Sequence, residues 1–539
     1  MRSNWRFGVV FLSLVLVVGL FAGAQQIKNP SIYIHATISG AETMDPAFSY
    51  DTASATAIFN VYETLIFYKG SSVTDFDPML ATSWEVSADG LTYRFPIRQG
   101  VRFHNGARLT PEDVEYSFER TLIQDRSGGP VWILLEPLLG VGTIEDLALE
   151  IAEGMGETVE EFSEISEAAL RETFNRVDAA VEVEGDNVVF RLTQPFAPFL
   201  STLLGNWGSI VNRDWVIGAG GWPGTVGTWV QYHDPQTEES VLYNRMNGTG
   251  PFKLERFVPQ EEVVLIRNDD YWREPAQVER AIIKYVDEWS TRLLMLQNGD
   301  ADSIWVPRQF ITQVQPLVDQ GVVDVFTDLP AVSLRNLFFN YNVIAEGNPY
   351  IGSGQLDGNG IPPNFFSDIN VRKGFAYSFD PDIFIQDVYF GEAKQVTGPI
   401  PEGLPFFDEN APLYGFDPEK AEEHFRAAWG GQLWDNGFQL TILYNTGNVE
   451  RRVAAEMLEF NIEALNPKFQ IDIQDVAWPT YIGSSVRNQL PVFIIGWLED
   501  YHDPHNWVVP YMASFGTFVG WQGIGAEGLA EIAKERYDR

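Results

Sequence analysis

Three acids and two histidines fall within seven residues, Glu499-Asp500-Tyr501-His502-Asp503-Pro504-His505. His502 and His505 with Asp500 and Asp503 are the residue types of an imidazole–carboxylate metal site. An i, i+3 spacing puts two imidazoles on one helix face, but Pro504 lies between them and Asp-Pro starts a turn. The stretch therefore reads as a loop, and neither a metal nor another cofactor is expected. Paired carboxylates suited to glycoside hydrolysis can be picked at will from 74 Asp and Glu, so such a pair carries no weight. Gly523-Ile-Gly-Ala-Glu-Gly528 satisfies GxGxxG, yet eleven residues follow it, too few for the second strand and ribose-binding acid of a dinucleotide site. HExxH, GxSxG and the Walker A lysine loop are all absent from the sequence, and His104 sits in a Gly-rich turn. With no cysteine, the chain has no thiol nucleophile, disulfide framework, thiolate metal site or cysteine-borne lipid anchor.

The element that positions the acidic stretch is the run Pro491-Val-Phe-Ile-Ile-Gly-Trp497. Its β-formers predict a buried strand, and ligands of open α/β sheets bind outside the carboxyl ends of strands. Upstream, Ser31–Ile38 reads as a first strand and Thr52–Phe67 as a helix. Trp84–Val86 and Leu91–Phe95 form a hairpin about Ala88-Asp89-Gly90. Thr110-Pro111-Glu112-Asp113 opens a helix, with Thr as N-cap, Pro at the first turn and acids beside the positive end of the dipole. Thr143–Arg176 is Glu- and Ala-rich at helical spacing, an acidic helical insertion with solvated faces. Val181–Leu192 is a hairpin around Gly185-Asp186. Trp207, Trp215, Trp222 and Trp229 lie in Gly-rich loops, placed either to stack on a ligand or, as preferred, to pack their own lobe. Asn336–Asn342 is a strand, and Asp380-Pro381 breaks the helix begun after Asp368. Phe438–Tyr444, Glu450–Leu465 and Phe469–Val476 alternate strand, helix, strand, the pattern of an α/β lobe. A closing helix is expected over Glu527–Arg536.

The length implies more than one core. A net charge of −38 argues against nucleic acid and against docking on anionic lipid. Residues 1–24 read as a secretory signal: Arg2 and Arg6, an apolar run from Phe7 to Phe21, then Ala22-Gly23-Ala24. Export by a cleavable signal to the periplasm or outside, with no stable membrane anchor, is the expectation.

Ala81-Thr-Ser-Trp-Glu-Val-Ser-Ala-Asp-Gly-Leu-Thr-Tyr-Arg-Phe95, Gly100-Val-Arg-Phe-His-Asn-Gly106, Leu109-Thr-Pro-Glu-Asp-Val114 and Ser117-Phe-Glu-Arg120 together resemble the signature of the family-5 extracellular solute-binding proteins. These are the peptide-, nickel- and oligosaccharide-binding components of bacterial ABC importers. Gly248–Leu254, Arg267–Trp272, Thr397–Gly403 and Tyr414–Ala421 resemble further landmarks. The resemblance spans roughly residues 30 to 507, the acidic insertion excepted. It implies a two-lobed α/β fold of the periplasmic-binding-protein type (type II), hinged over a ligand cleft, with an extra subdomain on the first lobe. The first lobe would take residues 25–305, with 64–204 as the extra subdomain and the insertion at about 140–176. The second would take 306–499, and 500–539 would return to the first lobe, either truncated or closing it differently from relatives.

The resemblance further implies a non-enzymatic, monomeric protein that captures a peptide and delivers it to an ABC permease whose ATPase is a separate chain. In peptide-binding relatives an acid in the "GW…DY" segment takes the ligand's amino terminus, and the matching residue in Gly496-Trp-Leu-Glu-Asp-Tyr501 is Asp500. Backbone around Gly496, Trp497 and Leu498 would pair with an extended peptide. Trp497, Trp478 and Tyr481 would supply apolar walls, and Asn340 either a bond to a ligand carbonyl or a turn. An oligosaccharide on the same fold is the alternative ligand, and a secreted carboxylate-dependent hydrolase is the alternative of another class.

Overall fold

The computed structural model describes residues 27–327, 329, 331–525, 528–530 and 532. The expected signal at 1–24 and most of the expected helix at Glu527–Arg536 lie outside the described residues. Four groups of elements position the cleft. A five-stranded sheet runs in the order Ser303–Ile304, Ile32–Thr37, Arg280–Tyr285, Glu262–Arg267, Phe252–Val258. Ile32–Thr37 is parallel to both of its neighbours, so its carboxyl end and that of Arg280–Tyr285 open on the same side. A four-stranded antiparallel sheet, Glu85–Val86, Thr92–Pro96, Asn187–Arg191, Val181–Glu184, carries the two hairpins. Phe438–Asn445 and Phe469–Val476 pair in parallel and are joined through helix Val449–Glu463, a crossover unit. Ser333–Phe339 and Val492–Leu498 form an antiparallel pair of their own.

Burial separates the chain into cores that follow this division. One core gathers buried side chains from Ala41 to Ile283 and adds Tyr501 and Val509 from the far end of the chain. A second runs from Val343 to Ile494 around the crossover unit. A third lies along the antiparallel pair, where Phe338 stacks on Phe493 and Phe518, with ring centroids 5.0 and 4.4 Å apart. The architecture is thus the two-lobed α/β arrangement anticipated, with the antiparallel pair packed on the second core through Leu337, Phe339, Val492 and Ile494.

Local chemistry accounts for most boundaries. Thr110 and Asp113 make a capping box at the head of Pro111–Gln124. Asp380 caps Pro381–Tyr389, so the break before it falls where the Asp-Pro pair placed it. In the acidic insertion, Ile144–Gly154 and Glu167–Ala180 are capped by Thr143 and Ser166 and share a small core of Ala148, Ala152, Ile165 and Ala169. The helix expected over Thr52–Phe67 stops at Val61. There the Gly250 N–H donates to the Val61 carbonyl at 2.9 Å, and a Cβ on Gly248 would lie 2.0 Å from that oxygen. This close approach turns the chain out into the strand Ile66–Tyr68. The loop expected through His505 ends sooner, because Pro504 opens a helix at His505–Met512. Trp207, Trp222 and Trp229 are buried in the first core, so loop aromatics pack their own lobe at these three positions. Among the described residues no helix is long and apolar enough to cross a membrane.

Candidate functional site

Strand Val492–Leu498 is bonded along one edge to Ser333–Phe339, with Gly496 opposite Arg335 and Leu498 opposite Ser333. On the other edge the Tyr481 hydroxyl takes both backbone groups of Ile494, accepting its N–H at 2.8 Å and donating to its carbonyl at 2.7 Å. An antiparallel ladder alternates the edge to which successive residues point. The backbone groups of Gly496 and Leu498 therefore face the same outer edge as those of Ile494. Leu498 is 54% exposed and Gly496 half-buried, and a side chain at Gly496 would meet Arg335 Nη1 at 2.6 Å.

Beyond this edge the chain turns through Glu499 and Asp500. Asp500 keeps part of its surface open although protein surrounds it. Its Oδ2 accepts the Tyr50 hydroxyl at 3.0 Å and the Asn506 amide at 2.9 Å, and its own N–H donates to Asn506 Oδ1 at 2.8 Å. Burial pushes the carboxyl up to about 7; the Asn506 and Tyr50 bonds pull it back, and Glu499 adds to the rise. Both hydrogen-bond donors are neutral. Tyr50 packs edge-on against Trp497, centroids 5.5 Å apart, and Trp497 is buried between it and Phe518. Trp132 lies beside the Tyr50 hydroxyl, and Trp521 packs on Phe518. The indole N–H groups of Trp497 and Trp521 are buried without an acceptor.

The next residue after Tyr50 reaches across the cleft. Asp51 caps helix Thr52–Val61, and its Oδ1 accepts the Ser54 N–H at 2.9 Å and the Trp478 indole N–H at 3.4 Å. Its Oδ2 is buried with no partner. Burial, reinforced by Glu42, raises this carboxyl to about 6. Trp478 and Tyr481 stack on each other, and the Arg451 guanidinium lies 5.1 Å from each ring centroid. Arg451 also donates to Asn445 Oδ1. A cavity of about 470 Å³ opens beside this seam, bounded by Glu42, Arg126 and Glu238 on one side and Thr480, Gly483 and Arg487 on the other. Arg126 is paired with Glu42 at 2.7 Å.

The sequence-derived residues thus have different fates. Asp500 follows Gly496 and Leu498 at the end of strand Val492–Leu498, while Trp478 contacts Asp51, Tyr481 and Arg451. Trp497, in the same strand as Gly496, is buried. Tyr481 is fully buried, so it supports the wall through Ile494 and Trp478 instead of presenting a face. Asn340 is buried and serves the turn: it accepts the Asn342 N–H at 3.0 Å and donates to the Trp521 carbonyl at 3.4 Å. His502 is engaged by Glu499 at 2.8 Å; His505 is held between Tyr501 and Glu136 at 2.8 and 3.0 Å. Among the described residues no group of three His, Cys, Asp or Glu side chains is arranged to hold a metal ion. Tyr50, Asp51, Glu42 and Arg451 were not singled out from sequence. Asp51 before Thr-Ala-Ser-Ala carries a legible N-cap signal, but nothing local marks its unfilled oxygen.

A family model for bacterial extracellular solute-binding proteins, family 5 (middle), matches residues 75–518. The chain is 24% identical over 509 residues to a probable D,D-dipeptide-binding periplasmic protein, DdpA, of Escherichia coli K12, covering 94% of this chain and 82% of that one. Among solved structures it resembles the periplasmic binding protein DppA of Helicobacter pylori in complex with the peptide STSA. That match has a TM-score of 0.61 at 22% identity, over 88% of this chain and 80% of that one. OppA of Listeria monocytogenes bound to peptide matches with a TM-score of 0.68 at 15% identity, over 94% and 89%.

Proposed function

The chain belongs to the family-5 bacterial extracellular solute-binding proteins, and we propose that it captures a peptide between its lobes and passes it unchanged to an ABC importer. The observation that carries the reading is Asp500, an enclosed carboxylate at the lobe crossing that only neutral groups contact, Tyr50 and Asn506. A peptide ammonium supplies the missing positive donor, and a charge-assisted bond of this kind contributes about 1.5–3 kcal/mol. The outward backbone groups of Gly496 and Leu498 then pair with the peptide main chain as an added strand, independent of side-chain identity. The E. coli and H. pylori relatives, described as binding a D,D-dipeptide and a peptide, point the same way. The lobes are assigned as 25–305 with a return after 500, and 306–499, a division supported by the separate cores. The protein works in the periplasm after export, without a catalytic step, with the permease and its ATPase as separate chains. The sugar alternative rested on the tryptophan surplus, and burial of Trp207, Trp222 and Trp229 removes much of that support.

Native mass spectrometry of the purified protein tests the ligand class: a carried-over mass that fragments as a peptide is expected, and one that fragments as a glycan overturns the reading. Asp500→Ala tests the anchor. A peptide affinity within twofold of wild type rules it out.

A further inference from the structure

Building on the peptide reading above, we infer that Asp51 and Tyr285 form a second cation-binding subsite beside the Asp500 anchor, one that selects peptides carrying a basic side chain. Tyr285 ends the strand Arg280–Tyr285, at the carboxyl ends of the two parallel strands of the large sheet, where α/β folds place their ligands. Asp51 Oδ2 is buried with no partner. The buried Tyr285 hydroxyl takes the Ala41 backbone N–H and feels the charge of Asp51. The next residue ties the two together: the Glu42 N–H donates to Ser54 Oγ at 2.8 Å, and the Ser54 N–H donates to Asp51 Oδ1 at 2.9 Å. Ala41 and Glu42 in turn border the cavity between the lobes.

The sign of the missing group follows from its surroundings. A buried carboxylate oxygen without a donor is costly, so the site is built for something that donates. Among the described residues no cation pairs with Asp51, and the nearby charge that bears on it is the negative one of Glu42. The Arg126 cation is taken up by Glu42. Arg451 is turned to Asn445 and to the rings of Trp478 and Tyr481. A neutral donor would leave the Asp51 carboxylate uncompensated. An ammonium or guanidinium has donors for both Asp51 Oδ2 and the Tyr285 oxygen and offsets the charge. The peptide's own terminal ammonium is held at Asp500, so this second cation comes from a lysine or arginine side chain. Tyr50, which bonds Asp500, is the residue before Asp51, so one segment of chain carries a contact to each subsite.

The test is calorimetric titration with tripeptides of alanine in which one position in turn is lysine or its uncharged analogue norleucine. Wild-type protein is expected to bind at least one lysine peptide about tenfold or more tightly than its norleucine partner. Asp51→Asn keeps an effective helix cap and an acceptor for Trp478 but removes the anionic oxygen. It should abolish the lysine preference while leaving the norleucine peptides and the melting temperature nearly unchanged, and Tyr285→Phe should reduce the preference in part. Asp500→Asn should weaken lysine and norleucine peptides alike. Equal binding of the two series by wild type, or a preference that survives Asp51→Asn, overturns the subsite and leaves the peptide reading standing. Failure of wild type to bind any of the tripeptides overturns both.

Discussion

Two buried carboxylates six positions apart in the sequence, Asp45 and Asp51, sit in opposite circumstances. Asp45 lies in the first core, where both of its oxygens are filled: Arg120 grips it with two nitrogens, Ala47 N–H donates to Oδ1 at 3.0 Å, and Ser240 donates to Oδ2. Arg120 is itself 1% exposed. Asp51 and Asp500, at the seam, are contacted by neutral donors, with one oxygen of Asp51 left empty. A buried charge matched within the protein is costly to break, because its partner is left uncompensated. A charge left unmatched at a surface that opens and closes is a place for something that arrives.

The largest effect that separates the two regions is expected at the first. Asp45→Ala strands Arg120 as an uncompensated buried charge and should lower stability by about 3–5 kcal/mol in urea unfolding. A loss well under about 1 kcal/mol would erase the contrast. At the seam the order reverses. Asp500→Asn should weaken peptide binding roughly 10- to 100-fold by calorimetry while leaving the ligand-free protein at least as stable at pH 8, because an amide carries no charge to desolvate.

Acidity sharpens the same point. The Asp500 and Asp51 carboxyls, at about 7 and about 6 when folded, bind protons that the unfolded chain has released by about pH 4. The native state thus holds more protons between about pH 4 and pH 7, and the ligand-free protein should lose stability as pH rises through that window. Peptide affinity should move the other way, rising from pH 6 to pH 8 as Asp500 ionises, with proton release on binding. Melting curves and titrations across this range check both signs. The smallest effect is at Trp478: Trp478→Phe removes the lobe-spanning bond to Asp51 and should weaken binding by about 0.5–1.5 kcal/mol, a few-fold change.

Much of the fold was legible because its signals are local. The capping box at Thr110, the Asp380-Pro381 break and the hairpin turns at Gly90 and Gly185 each follow from a few adjacent residues. The end of the first helix was not, since it is set by Gly248 and Gly250, far along the chain. The site divides in the same way. Asp500 and the Gly496–Leu498 edge follow one recognisable segment. Asp51 and Trp478, far apart in sequence, meet only in the folded chain, and no sequence pattern records an unfilled oxygen. Asn340 and Tyr481 were attractive for their positions at strand ends, yet their polar groups are occupied by the backbone around them.

The two indoles with unclaimed N–H groups, Trp497 and Trp521, give the seam an optical property. An indole in apolar surroundings without an acceptor emits toward the blue, and one that gains an acceptor or water shifts toward the red. Arrival of a ligand's oxygens, or entry of solvent as the lobes part, changes the colour of these two. Trp222 and Trp229, deep in the first core, supply a steady background. The protein therefore carries an intrinsic gauge of whether its cleft is empty or filled, readable as a difference spectrum without any attached dye.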